Sequence, residues 1–289
     1  MTAHRAPRHA RADTSTATWP TTVLSAAAGV LAVLLVLGGM MWLIEPSEVA
    51  GSGAAPAGEL RGHEVEQQAS EPDELTESST YTTVADAPAD PAPHGSTDGL
   101  IVHPRTSTTV HAEPGGAEIA RMEPTQINDT WLPIVEEREG WVRVLLPSRP
   151  NGSTGWLPDA DLERAHTPYE IHVHLGSKTL RLLSNGEEIG TWTIGIGRPE
   201  TPTPTGRTFL LGSFTDENQQ FSPVILPLGA HSDTLNDYGG GPGTVAIHTW
   251  PTTDVLGTAT SDGCVRVPQE ALDHLTEVPL GTLVLVDQS

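Results

Sequence analysis

Cysteine is nearly absent from this 289-residue sequence: Cys264 is the only one. It has no disulfide partner within the chain, and it is either a small buried hydrophobe or a reactive group. Positive charge is scarce too, with 15 Lys and Arg (Lys178 the only lysine) against 37 Asp and Glu, a net charge of −22 and a pI near 4.7. Such a surface repels phosphate polymers, which argues against nucleic acid as a partner and against a polybasic membrane patch. There is no HExxH segment, so a zinc-peptidase reading built on His231, His248 and Cys264 lacks the paired-histidine helix that chemistry uses. No metal or organic cofactor is called for. Charged residues are only 18% of the chain while Gly and Pro number 29 and 25, so part of it is expected to be linker, with compact pieces on a string.

What is present is a histidine sixteen positions before the thiol, in Ile247-His248-Thr249, and the stretch Ser261-Asp262-Gly263-Cys264-Val265-Arg266-Val267. A thiol attacks carbonyls as thiolate, and at neutral pH an adjacent imidazole is its usual activator. Gly263 before the Cys permits close approach of substrate, and the amides of Gly263 and Cys264 could both face a developing oxyanion. Ile247-His248, a twelve-residue interval containing Leu256-Gly257, and Ser261-x-Gly263-Cys264-Val265-Arg266 together resemble the signature of YkuD-type L,D-transpeptidases, which cross-link bacterial peptidoglycan. This sequence has Asp262 where many members carry His, Thr249 where many carry Gly, and Val267 where Met or Asn is frequent.

The resemblance implies Cys264 as nucleophile, His248 as base, and supporting roles for Thr249, Ser261, Gly263 and Arg266. Thr249 would orient the imidazole through its carbonyl or hydroxyl, and Arg266 would brace the loop or meet a substrate carboxylate. The implied substrates are peptidoglycan stem peptides, joined through a Cys thioester to an acceptor amine. Water as acceptor would make the same site an L,D-carboxypeptidase, and a wall-binding module with a dead catalytic domain would be expected to have lost Cys264 or His248.

The N-terminal residues 1–22 carry Arg5, Arg8 and Arg11, and residues 23–44 then run uncharged from Val23 to Ile44. As a helix that run would rise about 33 Å, enough for a bilayer core of roughly 30 Å. Its length favours an uncleaved transmembrane anchor over a cleaved signal peptide, although small residues follow at Gly51-Ser52-Gly53. Arginines before the span and Glu45 and Glu48 after it predict a cytoplasmic N-terminus and an extracytoplasmic, wall-side catalytic domain. Residues 45–99 are read as an acidic, disordered spacer, with twelve Asp or Glu and one Arg between 45 and 98.

Short apolar runs broken by turn formers predict a small all-β unit over 100–166. Its Gly140-Trp141-Val142-Arg143-Val144 and Gly155-Trp156-Leu157 resemble a bacterial SH3-like barrel, which implies cell-wall or peptide binding; at least two of Trp131, Trp141 and Trp156 are expected in its core. The last unit, 169–287, opens with the alternating Ile171-His172-Val173-His174-Leu175, whose two histidines share a face and are read as solvated rather than metal-bound. Leu180 and Leu182 with the Asn185-Gly186 turn predict a hairpin, and Thr201-Pro202-Thr203-Pro204-Thr205-Gly206 resembles a Thr-Pro-x-Gly segment of the same transpeptidase family, read as a rigid turn. Residues 213–243 read as a long loop, Pro268 as opening a short helix, and Leu283-Val284-Leu285-Val286 as a closing strand. The expected fold is mainly β: an SH3-like small barrel, then a YkuD-like β-sandwich catalytic domain with one short helix, behind a single N-terminal transmembrane helix.

Overall fold

In a computed structural model, residues 75–237 and 242–289 are described, and they fold as mainly β with one α-helix. The expected cytoplasmic segment, transmembrane helix and first part of the spacer lie outside the described residues. Among the described residues no helix is long and apolar enough to cross a membrane.

The all-β unit read from the sequence is a seven-stranded sheet of β1 (Leu100–Pro104), β2 (Thr108–His111), β3 (Glu118–Met122), β4 (Leu132–Arg138), β5 (Trp141–Leu145), β6 (Thr154–Pro158) and β7 (Leu162–His166). All its pairings are antiparallel, in the order β3-β2-β6-β5-β4-β1-β7. Alternation sends Val142 and Val144 of β5 to a core shared with Val102, Val110, Ala120, Met122 and Leu157. None of the three tryptophans expected mostly in this core joins it: Trp156 is buried, but on the face opposite Leu157, with the Arg138 guanidinium carbon 4.6 Å from its ring centroid. Trp131 and Trp141 are half-buried and lean on His103 and His111, ring centroids 5.3 and 5.0 Å apart. An indole beside an imidazole can bury its body at a sheet surface without entering the core.

The second unit contains β8 (Tyr169–His174), β9 (Thr179–Ser184), β10 (Glu187–Thr193), β11 (Ile196–Gly197), β12 (Gly206–Phe209), β13 (Leu226–His231), β14 (Thr244–His248), β15 (Ala259–Ser261), β16 (Val265–Arg266), α1 (Gln269–Leu275) and β17 (Leu283–Asp287). They build sheets ordered β10-β9-β8-β17-β12, β13-β14-β16 and β11-β15. The β9–β10 hairpin forms where expected: Asn185 and Gly186 both have positive φ, 51° and 79°, as a two-residue turn of this hand requires. β13 occupies part of what read as a long loop. All six of its residues are buried, so no alternation marks it, and Pro227 and Gly229 within it read as turn formers.

β17 explains its unbroken apolar run by having two buried faces. Val284 and Val286 enter the core of the second unit, with Ile171, Leu180 and Ile247, while Leu283 and Leu285 join Phe209 and Leu211 in the core of the first. The two β units are therefore packed on each other within one unit, Gln68–Ser289, rather than strung apart.

Residues 75–99, expected as the end of a disordered spacer, form a strap over both sheets. Backbone hydrogen bonds tie Ser78 to Arg121, Val84 to Arg149, Thr154 to Pro88 and Asp90 to Gly152 at 2.7–2.9 Å. Val84 enters the first core, and the Asp90 carboxylate takes two hydrogen bonds from Arg207 of β12 at 2.6 and 2.7 Å. Arg207 also donates to the Gly95 carbonyl at 3.1 Å. Sheet-edge hydrogen bonds and one buried ion pair hold this segment, and neither leaves an apolar pattern in sequence.

Candidate active site

Two strands and the alternation of their side chains build the site. Val245 and Ile247 of β14 and Val265 and Val267 at β16 all point into the core. The intervening residues, Ala246, His248, Cys264 and Arg266, therefore face the other way. β14 and β16 run parallel with Ile247 opposite Val265 and His248 opposite Arg266, so extending the register by one residue sets Cys264 beside Ala246. His248 lies one diagonal step from Cys264 on the same face, close enough for long side chains to meet. Both are buried, at 4% and 7% exposure.

His248 has a defined tautomer. Its Nδ1 lies 2.7 Å from the Thr249 carbonyl oxygen, and a carbonyl only accepts, so Nδ1 carries the hydrogen and Nε2 a lone pair. Burial, reinforced by the positive charge of Arg266 and opposed by the Thr249 carbonyl, holds the imidazole down at a pKa of about 4. Burial also pushes the Cys264 thiol up, as does Asp262, while the Ala246 backbone and Arg266 favour the thiolate. The resting pair is thus neutral thiol and neutral imidazole.

The nucleophile loop is braced from within and from outside. Ser261 Oγ donates to the Cys264 carbonyl at 2.6 Å and accepts from the Gly263 N–H at 3.2 Å. Gly263 has φ +115°, a backbone region that L side chains rarely adopt, which accounts for glycine before the Cys. Thr203 Oγ1 donates to the Gly263 carbonyl at 2.8 Å and accepts from Gly197 N–H at 2.9 Å, and Thr201 Oγ1 donates to Ser261 O at 3.2 Å. Asp262 pairs with Arg198. The Thr-Pro turn is thus also the outer clamp of the Cys loop.

A sequence model of the YkuD family, described as the L,D-transpeptidase catalytic domain, matches residues 168–286, which hold both strands of this site. A Bacillus subtilis protein named YkuD, described as a candidate L,D-transpeptidase, is 33% identical over 122 residues, covering 42% of this chain and 67% of the relative. The chain belongs to the YkuD family. A Bacillus licheniformis protein of the same name is 32% identical over 120 residues, or 41% of this chain and 66% of that one, so the chain spans about two thirds of these relatives. The crystal structure of an L,D-transpeptidase from Mycobacterium tuberculosis is similar at 15% identity and a TM-score of 0.37, covering 54% of this chain and 93% of that one.

The six residues singled out in the sequence as site members of this YkuD-family chain lie at the end of β14 (His248 and Thr249) and along the stretch from the end of β15 to the end of β16 (Ser261, Gly263, Cys264 and Arg266). Gly263 departs from its expected part, since its N–H is directed to Ser261 Oγ; the Cys264 N–H has no acceptor among the described residues. Thr249 acts on the imidazole through its carbonyl, and its hydroxyl instead donates to Phe221 O at 3.0 Å. Ser222 Oγ accepts the Thr249 N–H at 3.0 Å, which fixes Phe221 edge-on to His248, ring centroids 4.8 Å apart. Phe221 and Trp250 wall a cleft of about 320 Å³ with Thr249, Leu256 and Val267, and the His248 ring lies 4.8 and 6.2 Å from these two aromatic rings. Phe221, Ser222 and Trp250 escaped sequence reasoning because no motif or period marks them.

Other candidate ligands are not brought to this site. His231 sits opposite Thr244, four residues from His248 on the partner strand or roughly 13 Å along it, and its Nε2 meets the Thr80 carbonyl of the strap at 2.8 Å. His172 and His174 do share a face, ring centroids 6.0 Å apart, and turn to Glu170 and Asp287 respectively.

Proposed function

We propose that this protein is a peptidoglycan L,D-transpeptidase working through Cys264. The observation that carries the reading is the His248 tautomer: an unprotonated Nε2 on the same strand face as the chain's only thiol, inside a YkuD-family domain. In the proposed cycle, His248 Nε2 takes the Cys264 proton as Sγ bonds to the carbonyl carbon after the third residue of a donor stem peptide. The carbonyl becomes an oxyanion facing the Cys264 N–H. When the peptide C–N bond breaks, the proton returns from His248 to the departing D-alanine amine and a thioester remains. An acceptor amine attacks the thioester, gives a proton to His248, and expels the thiolate, which is then reprotonated. No step needs a metal or a cofactor.

The same proposal places residues 23–44 in the cytoplasmic membrane and the catalytic domain on the wall side, with the 100–166 sheet as an SH3-like module near the substrate. Membrane fractionation with protease added to intact spheroplasts tests it: digestion beyond residue 45 is expected, and protection reverses the orientation. For the chemistry, the full-length chain is incubated with a tetrapeptide-stem muropeptide and the products weighed by mass spectrometry. A cross-linked dimer plus D-alanine is expected. D-Alanine without dimer makes the enzyme an L,D-carboxypeptidase, and unchanged substrate overturns the reading.

A further inference from the structure

His231 is a buried junction between the strap and the two β units. The residue is 1% exposed, and its Nε2 donates to the Thr80 carbonyl of the strap at 2.8 Å. A carbonyl only accepts, so Nε2 carries the hydrogen and Nδ1 is left with a buried lone pair that has no partner among the described residues. The backbone of His231 is held from the other side. Its N–H donates to Asn151 Oδ1 at 2.8 Å, and Asn151 Nδ2 donates to the His231 carbonyl at 2.7 Å and to Asp233 at 3.1 Å. Arg149, in the same loop as Asn151, pairs through its backbone with Thr82 and Val84 of the strap and donates to the Pro242 carbonyl at 2.6 Å.

Such a site accommodates only a neutral imidazole. A second proton would put a donor without an acceptor at Nδ1 and a second cation near Arg149, against Asp233 as the one nearby anion. Burial and the Arg149 charge hold the ring down at a pKa of about 4, opposed by the Thr80 carbonyl and by Asp233. Lifting the strap takes Thr80 off the ring and admits water to Nδ1, which restores the ordinary affinity of an imidazole for protons. We propose that His231 is a proton-operated latch: acid lifts the strap of residues 75–99 off the two sheets, and neutral pH seats it again. Seating is at full strength above about pH 6.5 and weakens as pH falls toward 4. The strap's other charged ties are the Asp90–Arg207 pair and the Ser96 hydroxyl on Glu170, a carboxylate that His172 also meets. Resting on the anchored reading above, a lifted strap rejoins the spacer before it and adds roughly 80 Å of extended chain to the reach of the catalytic domain. The latch itself needs no anchor.

Amide hydrogen exchange of the full-length chain in mild detergent, at pH 7.5 and at pH 5, reads the latch directly. The reporters are the Ser78, Val84 and Asp90 N–H groups, which donate to the carbonyls of Arg121, Arg149 and Gly152, with each rate divided by that of an unstructured peptide at the same pH. An imidazole that takes its proton at 6.5 when lifted and at about 4 when seated shifts strap opening roughly 30-fold across that interval. Protection of the three amides should fall by that factor in wild type and stay level in His231→Gln, whose side-chain nitrogen keeps the bond to the Thr80 carbonyl and takes no proton. Unchanged protection in wild type overturns the proposal. An equal fall in His231→Gln overturns it as well, since the acid response then belongs to Asp90 or His172. Strap amides that exchange only in step with those of β8 and β17 also overturn it, because the strap then never lifts alone. Membrane fractionation decides the anchor separately: a chain that stays off membranes while its strap opens in acid keeps the latch and loses the longer reach.

Discussion

Asp90→Asn removes one charge from a buried pair without changing the shape of the side chain. Both partners are 2% exposed at the side chain, and the carboxylate takes two guanidinium bonds at 2.6 and 2.7 Å. Breaking such a pair from one side leaves an uncompensated Arg207, which costs about 3–5 kcal/mol. The loss has a ceiling, because the strap can lift and let water reach Arg207; the measured value is then the free energy that holds residues 75–99 down. Urea denaturation of wild type and Asp90→Asn gives the difference, and limited proteolysis shows whether cleavage moves into the strap. The double variant Asp90→Leu with Arg207→Met should recover most of the loss, since an apolar pair of similar volume carries no stranded charge. A cost under about 1 kcal/mol with the strap still protected would refute the reasoning.

Three further outcomes follow from the site. With His248 at a pKa of about 4, its base form persists at mild acidity, so acylation at pH 5.5 should stay within about 10% of that at pH 7.5, where an unperturbed imidazole would lose about tenfold; a pH–rate profile decides. His231 and His248 are both held at about 4 by burial, against 6.5 when unfolded, so their stabilisation is full above pH 6.5 and drains as pH falls toward 4. Between pH 7.5 and 5 each should cost about 2 kcal/mol in urea melts, and His231→Gln should remove one share of that slope. Thr249→Val deletes the hydroxyl bond to Phe221 O but keeps the carbonyl that orients His248, so Tm should drop by about 2–4 °C with activity reduced less than about tenfold. A calorimetric scan and a turnover assay on one preparation check both halves.

The candidate site's residues could be picked out because they are local. Ser261 to Arg266 is one short stretch, and the alternation of Val245, Ile247, Val265 and Val267 already implies that His248 and Cys264 share the opposite face. The hairpin at Asn185-Gly186 was legible for the same reason, since two positive φ values select those residues. What stayed hidden depends on distant partners. Thr203 reaches Gly263 across 60 residues, and Thr249 reaches Ser222 across 27, mostly through backbone atoms that any residue carries. The strap hid because an acidic, proline-rich segment that docks by sheet-edge bonds and one ion pair has the composition of one that does not dock. The fused core hid because the run at Leu283–Val286 tells that a strand is buried, while its second face joins a core whose other members run from Val84 to Leu211, far back in the chain.

The central claim is that Cys264, activated by His248, forms the covalent acyl-enzyme. Intact-mass spectrometry of the full-length chain after brief incubation with a carbapenem, whose strained ring opens through the same tetrahedral oxyanion as a stem peptide, reads that bond directly. The account predicts a single stable adduct in wild type, none in Cys264→Ala, and acylation slowed about 10²–10⁴-fold in His248→Ala. An adduct that persists in Cys264→Ala, or a rate indifferent to His248, would contradict it.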